Sequence, residues 1–232
     1  MRTLLLILLT SVASLVQAQD FKKHFSDYTS LVISRGIDAR LVKSDAKDLS
    51  FTVHGISPNH VLVENKGDEL RIRIATKALW EEMKDKHWWV KVEVPYTTLL
   101  SAEALTGARI IADEPIEGES LELSVSMGGK MEIKLKIKEL EVDASMGSVA
   151  ELTGMAESVH VSASMGSEVD LHGLSAKYVK AKSTMGSHLE VYATEEFDGN
   201  AAMGGEIEVF GNPSRFYENT NMGGEISGSK SQ

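Results

Sequence analysis

Five acidic residues, Glu132, Glu151, Asp170, Glu190 and Glu208, recur at intervals of 19, 19, 20 and 18 residues. If each interval is one turn of a stacked coil, the five carboxylates form a single outward column. Glu168, Glu206 and Glu225, each two residues away from a column position, add to the same face. Such a row offers hard oxygen ligands for Ca²⁺ or for a cationic partner. It also serves as a solvated face that keeps sheet edges soluble and unpaired. Unit charges about 4.8 Å apart repel by only about 0.9 kcal/mol in water, so the solvated face is the default expectation. The chain lacks G-G-x-G-x-D, so the known Ca²⁺-coil motif is not its basis. Ca²⁺ is the one cofactor the pattern raises.

A second candidate is aromatic. Trp80, Trp88 and Trp89 are all the tryptophans of the chain. By strand parity Trp88 faces the core and Trp89 faces out, so Trp80 and Trp89 are candidates for stacking on a sugar or anchoring a protein. Covering the end of the fold is the simpler job for the cluster. Catalytic chemistry has no comparable foothold. There is no G-x-S-x-G, H-E-x-x-H, P-loop or G-x-G-x-x-G, and the chain has no cysteine. The histidines are scattered: His160, His172 and His188 do not share an offset in the repeat, and solvated side chains are expected. No catalytic residue and no dedicated metal set is assigned.

The elements that would position these residues come from a repeat. Ser126-Met127-Gly128-Gly129 recurs around Met146, Met165, Met185, Met203 and Met222, at spacings of 19, 19, 20, 18 and 19 residues. Six of the ten methionines and nine of the 19 glycines lie in this motif. Within each unit the apolar residues alternate. Leu121, Leu140, Val159, Val179, Phe197 and Phe216 precede the Met by six residues, and Met131, Ala150, Val169, Leu189, Ile207 and Ile226 follow it by four. Alternation with period two is a half-buried strand. No single unit can bury its apolar face, so the units must stack, at roughly 4.8 Å per strand. The expectation is an all-β solenoid of coils of about 19 residues. By parity the motif Met points inward, as filler at the corner. The alternative, outward thioethers binding a soft metal such as Cu(I), requires the opposite orientation.

Composition limits the rest. The 232 residues carry a net charge of -10, which excludes the basic footprint of a nucleic-acid binder. Residues 1–18, with Arg2, the apolar run Leu4 to Val16 and Val16-Gln17-Ala18, read as a signal peptide. The apolar run is shorter than the roughly 20 residues of a membrane span. Cleavage after Ala18 would leave a soluble exported chain with no transmembrane segment, in the periplasm or at the cell surface. Residues 19–98 lack the Met motif but alternate in short strands, with Lys77 to Lys86 the one helical piece, and read as a β-rich N-terminal cap. Residues 99–232 read as the solenoid, opening on a degenerate coil around Leu105-Thr106-Gly107-Ala108.

The order of Val92-Glu93-Val94-Pro95, Leu105-Thr106-Gly107-Ala108 and the small-x-Gly-x corners resembles the secreted head-GIN-domain family, over roughly residues 28 to 228. The resemblance implies a single-chain, right-handed β-helix-like architecture and an exported, adhesin-like protein of Gram-negative bacteria, with no catalytic residues attached. Family corners often carry Gly or Ser where this chain carries Met. The functional expectation is a non-enzymatic adhesin-like or scaffold module that binds protein or polysaccharide at the cell envelope. The alternative is a polysaccharide-active enzyme or carbohydrate-binding protein on a β-helix, against which stands Arg215 as the only arginine in residues 140–232.

Overall fold

The computed structural model describes residues 18–77 and 88–228. The expected signal segment (residues 1–17 of it), Trp80 and nearly all of the expected helical piece lie outside the described residues. Sixteen strands form one sheet, wound into a β-solenoid of about 7 turns. The alternation read from the sequence decides this architecture, because each strand has one apolar side that only a neighbouring coil can cover.

The regular coils are long strands: β9 (Arg109–Ser126), β10 (Lys130–Ala144), β11 (Val149–Ala163), β12 (Glu168–Thr184) and β13 (His188–Ala202). Each pairs in parallel with the next, in the register that equal offsets require. Met131 lies beside Ala150, Ala150 beside Val169, Val169 beside Leu189 and Leu189 beside Ile207. All five are buried. Burying an aliphatic side chain contributes about 1.5–3 kcal/mol, so the inward columns carry most of the stability. The last strands, β14 (Glu206–Gly211) and β15 (Arg215–Asn221) on β13, then β16 (Glu225–Gly228) on β14, keep the register, but β15 and β16 are mostly exposed. That agrees with the polar Glu218 and Thr220 at the inward offsets of β15.

The segment 19–98 divides between coil and cap. Strands β2 (Ser30–Ser34) and β3 (Ile37–Lys43), joined by Arg35-Gly36, repeat the strand–corner–strand unit. β3 pairs in parallel with β9, and β2 with β8 (Ser101–Leu105). Strands β6 (Glu69–Ile74) and β7 (Trp89–Tyr96) stack in parallel on the far side of the β2–β3 coil. The first coil in the chain is thus sandwiched between later ones. Antiparallel strands close this end: β4 (Asp48–His54) on β7, β5 (Val61–Lys66) on β6, and β1 (Gln19–His24) on β4. They pair the open edge of the outermost coil, which would otherwise invite another strand. One core runs through coil and cap from Phe25 to Val209.

The corners correct the expected direction of the methionines. Met127, Met146, Met165, Met185 and Met203 are 48–49% exposed, and Met222 is 75% exposed. Each has a positive φ, between 49° and 56°, and the following glycine is positive too. Gly129 N donates to Ser126 O at 3.0 Å, closing a four-residue turn. Two successive positive φ values mark a type I′ turn. Parity holds only for extended backbone, so in this turn the residue in phase with the core is swung out to solvent. The inward place falls to the residue after the glycine, where Ser148, Ser167 and Ser187 are buried. The left-handed region costs an L-residue about 1–2 kcal/mol, and methionine has no local hydrogen bond to offset it.

Candidate functional site

The acidic column exists as one row of the sheet. Glu132 is the register partner of Glu151, Glu151 of Asp170, Asp170 of Glu190 and Glu190 of Glu208. Odd offsets point outward from the coil, and the parallel register lines them up one strand apart. In the neighbouring row, His188 lies between Glu168 and Glu206. Its Nε2 is 3.5 Å from Glu190 Oε1 and its Nδ1 is 3.4 Å from Glu206 Oε2. One ligand atom each from His188, Glu190 and Glu208 lie within 4.8 Å of one another. An imidazole with two carboxylates can hold a divalent cation through nitrogen and oxygen donors. His188 therefore is not the isolated histidine expected. Nor is His172, whose ring packs edge-on against Phe210 with centroids 4.1 Å apart.

Toward the N-terminus the same row continues as Ile111, Arg40, Glu93, Ser50 and Lys22. Here the sheet forms a groove of about 730 Å³. Its polar lining includes Lys22, Arg40, Lys91 and Arg109 against Asp20, Asp38 and Glu93. Arg109 joins groove to row, with Nη2 2.5 Å and Nε 3.1 Å from Glu132 Oε1. Arg40 pairs with Asp113. The outer face is therefore polarised, basic and mixed at one end and acidic at the other. Sequence spacing gave no hint of this groove, because its residues come from separate strands between positions 20 and 111.

Trp89 faces outward on β7, as parity requires. Its ring stacks on His54 at 5.7 Å and 12°, and Lys91 Nζ lies 5.2 Å from the ring centroid. Trp88 packs against the core and over Gly36. Both indoles thus have intramolecular neighbours at the capped end, and Trp80 falls outside the described residues.

A second groove, of about 370 Å³, crosses the strand segments that precede the corners. Glu141, His160, Lys180 and Asp198 form one row of it, and Asp143, Ser162, Lys182 and Asn200 the next. Burial, then repulsion from Glu141, holds the Asp143 carboxyl above its ordinary range. These residues sit five and three positions before each Met, a signal that the spacing already contained.

Three solved structures are similar over nearly their whole length. A "putative adhesin" from Bacteroides fragilis aligns with a TM-score of 0.77 at 16% identity, covering 92% of this chain and 97% of that one. A "putative adhesin" from Parabacteroides merdae aligns at 0.69 and 17%, covering 93% and 97%. A "putative lipid binding protein" from Parabacteroides distasonis aligns at 0.70 and 18%, covering 91% and 96%. At these identities the likeness shows the fold. No curated protein is similar in sequence. Residues 27–213 match the family model described as "Putative auto-transporter adhesin, head GIN domain", and the chain belongs to that family.

Proposed function

We propose that the chain is an exported, non-enzymatic adhesion or scaffold module that binds a protein or polysaccharide of the cell envelope through its outer sheet face. The observation that carries this reading is the unbroken path of eleven strands, β1-β4-β7-β3-β9-β10-β11-β12-β13-β14-β16. It presents charged side chains in straight, registered rows on a rigid surface. A ligand with repeating groups meets a matching repeat and gains many weak contacts at once, without catalytic machinery. The signal-like residues 1–18 and the family support export. Envelope fractions captured on the immobilised protein should lose their bound component when Lys91 and Arg40 are reversed to Glu. Capture that is indifferent to reversal of both the groove and the acidic row would sink the reading.

The acidic row supports a cation as part of that face. Ca²⁺ suits its carboxylates, whereas the His188, Glu190, Glu208 set suits a nitrogen-accepting metal such as Zn²⁺. Calorimetric titration with each ion, repeated on His188→Gln, separates them, since only the second set uses His188; no heat with either ion removes the cation.

One observation favours a second reading. The 370 Å³ groove brings carboxylates and lysines together, the kind of lining that a polysaccharide-binding or polysaccharide-active site uses. A screen of acidic and neutral polysaccharides for new reducing or unsaturated ends tests activity, and binding without cleavage places the groove among carbohydrate-binding sites.

A further inference from the structure

The six corner methionines are held where neither folding nor packing calls for methionine. Their side chains are about half exposed or more, so they do not fill the core. Their backbone conformation is one that Gly or Asn adopts more readily. The fold supplies its own control: Arg35 and Thr106 occupy the equivalent corner with φ of 66° and 54°. The turn therefore accepts quite different side chains. What the six share is an unbranched thioether directed at solvent.

The corners also set the backbones of those methionines in a column. Gly128 N donates to Met146 O, Gly147 N to Met165 O and Gly166 N to Met185 O, each at 3.1 Å, and Gly186 N donates to Met203 O at 3.2 Å. Hydrogen bonding thus continues from coil to coil through the turns, setting successive methionines one strand spacing apart, about 4.8 Å. A corner side chain reaches the rung beside it, since Met127 Sδ lies 3.8 Å from Thr106 Oγ1. Sulfurs on neighbouring rungs, each on a side chain with three rotatable bonds, can converge on a shared ion.

From this column we infer that the Met127–Met222 edge is a binding site for a soft monovalent metal ion, Cu(I) or its analogue Ag(I), held by two or three thioethers from successive coils. Thioether sulfur is neutral and polarisable; it selects soft ions and leaves Ca²⁺ and Mg²⁺ to oxygen ligands. The chain contains no cysteine to compete for such an ion. Glu168, Glu206 and Glu225 follow their methionines by three residues, and the net charge of -10 raises the local concentration of any cation. The orientation that parity had argued against is the one the corners adopt.

The test uses the full chain with Ag(I), which needs no reductant, and with Cu(I) under anaerobic competition from a chromogenic Cu(I) chelator. The methyl resonances of two or more neighbouring methionines among Met127, Met146, Met165, Met185, Met203 and Met222 should shift on addition of Ag(I), and all six should remain unmoved by Ca²⁺. The variant Met146→Leu, Met165→Leu, Met185→Leu, Met203→Leu, which leaves no two neighbouring corner methionines, should bind either ion at least about tenfold more weakly. Undiminished binding by the folded variant would move the ion to the carboxylate rows and overturn the inference. If the variant fails to fold, the methyl resonances of the unsubstituted protein decide alone: still resonances overturn the thioether site.

Discussion

Ser167 Oγ donates to the carbonyl of Ala144, 3.0 Å away and one coil earlier in the stack. Ser148 makes the same bond to Val125 O and Ser187 to Ala163 O, both at 2.9 Å. The three hydroxyls are buried at the inner side of the corner, and for Val125 O and Ala144 O the hydroxyl is a second donor beside a backbone N–H, from Ser145 and Ser164. Ser167→Ala removes that donor while Ser164 N still donates to Ala144 O at 2.9 Å, so it should cost about 0.5–1.5 kcal/mol, read from urea denaturation. A loss below a few tenths would mean that the hydroxyl is only filler.

Met165 separates the demands of the turn from those of its side chain. Its φ of 53° suits Asn, whose short polar side chain tolerates the left-handed region. Met165→Asn should therefore raise stability by about 0.5–1 kcal/mol, and Met165→Val, branched at Cβ, should lower it by about 1–2 kcal/mol. Thermal melts of the two variants test the order. If Asn destabilises, the methionine contributes to folding after all, and the argument that it is kept for an external role fails.

How much of this was legible depends on the physics of each signal. The inward columns from Met131 to Ile207 and the outward row from Glu132 to Glu208 follow from period-two alternation at a constant repeat, and both stand in register. The direction of Met127 and its successors did not follow, because a turn with two positive φ values breaks the alternation that the reading extrapolated. The position of β6–β7 outside β2–β3 was also hidden. The chain leaves the stack through the antiparallel β4 and β5 and returns, and no spacing records that excursion. The groove around Arg40, Lys91 and Arg109 inherits the same obscurity. The second groove was available, since Glu141, His160, Lys180 and Asp198 share one offset from the motif.

Gly205 tests whether the repeat can be idealised. Three coils carry Ser at this corner position, so Gly205→Ser looks like a move toward consensus. A Cβ on Gly205 would lie 2.4 Å from Ser183 O and 2.5 Å from its carbonyl carbon. Backbone must shift to admit it, and overpacking of this kind costs about 1–3 kcal/mol. Gly205→Ser should therefore unfold at lower urea than the unsubstituted chain, whereas a gain in stability would show that the corner relaxes freely.

Asp143 gives the second groove a pH signature. Burial first, and repulsion from Glu141 second, raise its carboxyl above 3.8 in the folded protein. The folded state then keeps a proton that the unfolded chain has already released. Stability from this group falls as pH rises from 3.8 through the raised value, and stays lower above it. Below 3.8 both states are protonated and the penalty is absent. Asp143→Asn removes the titration, so the variant should be more stable than the unsubstituted chain at neutral pH. That advantage should shrink as the pH falls through the window. Urea midpoints for both proteins across this range decide it. A pH-independent difference would assign the effect to packing, and a less stable variant at neutral pH would mean that Lys182, two strands away in the same row, holds the carboxylate charged.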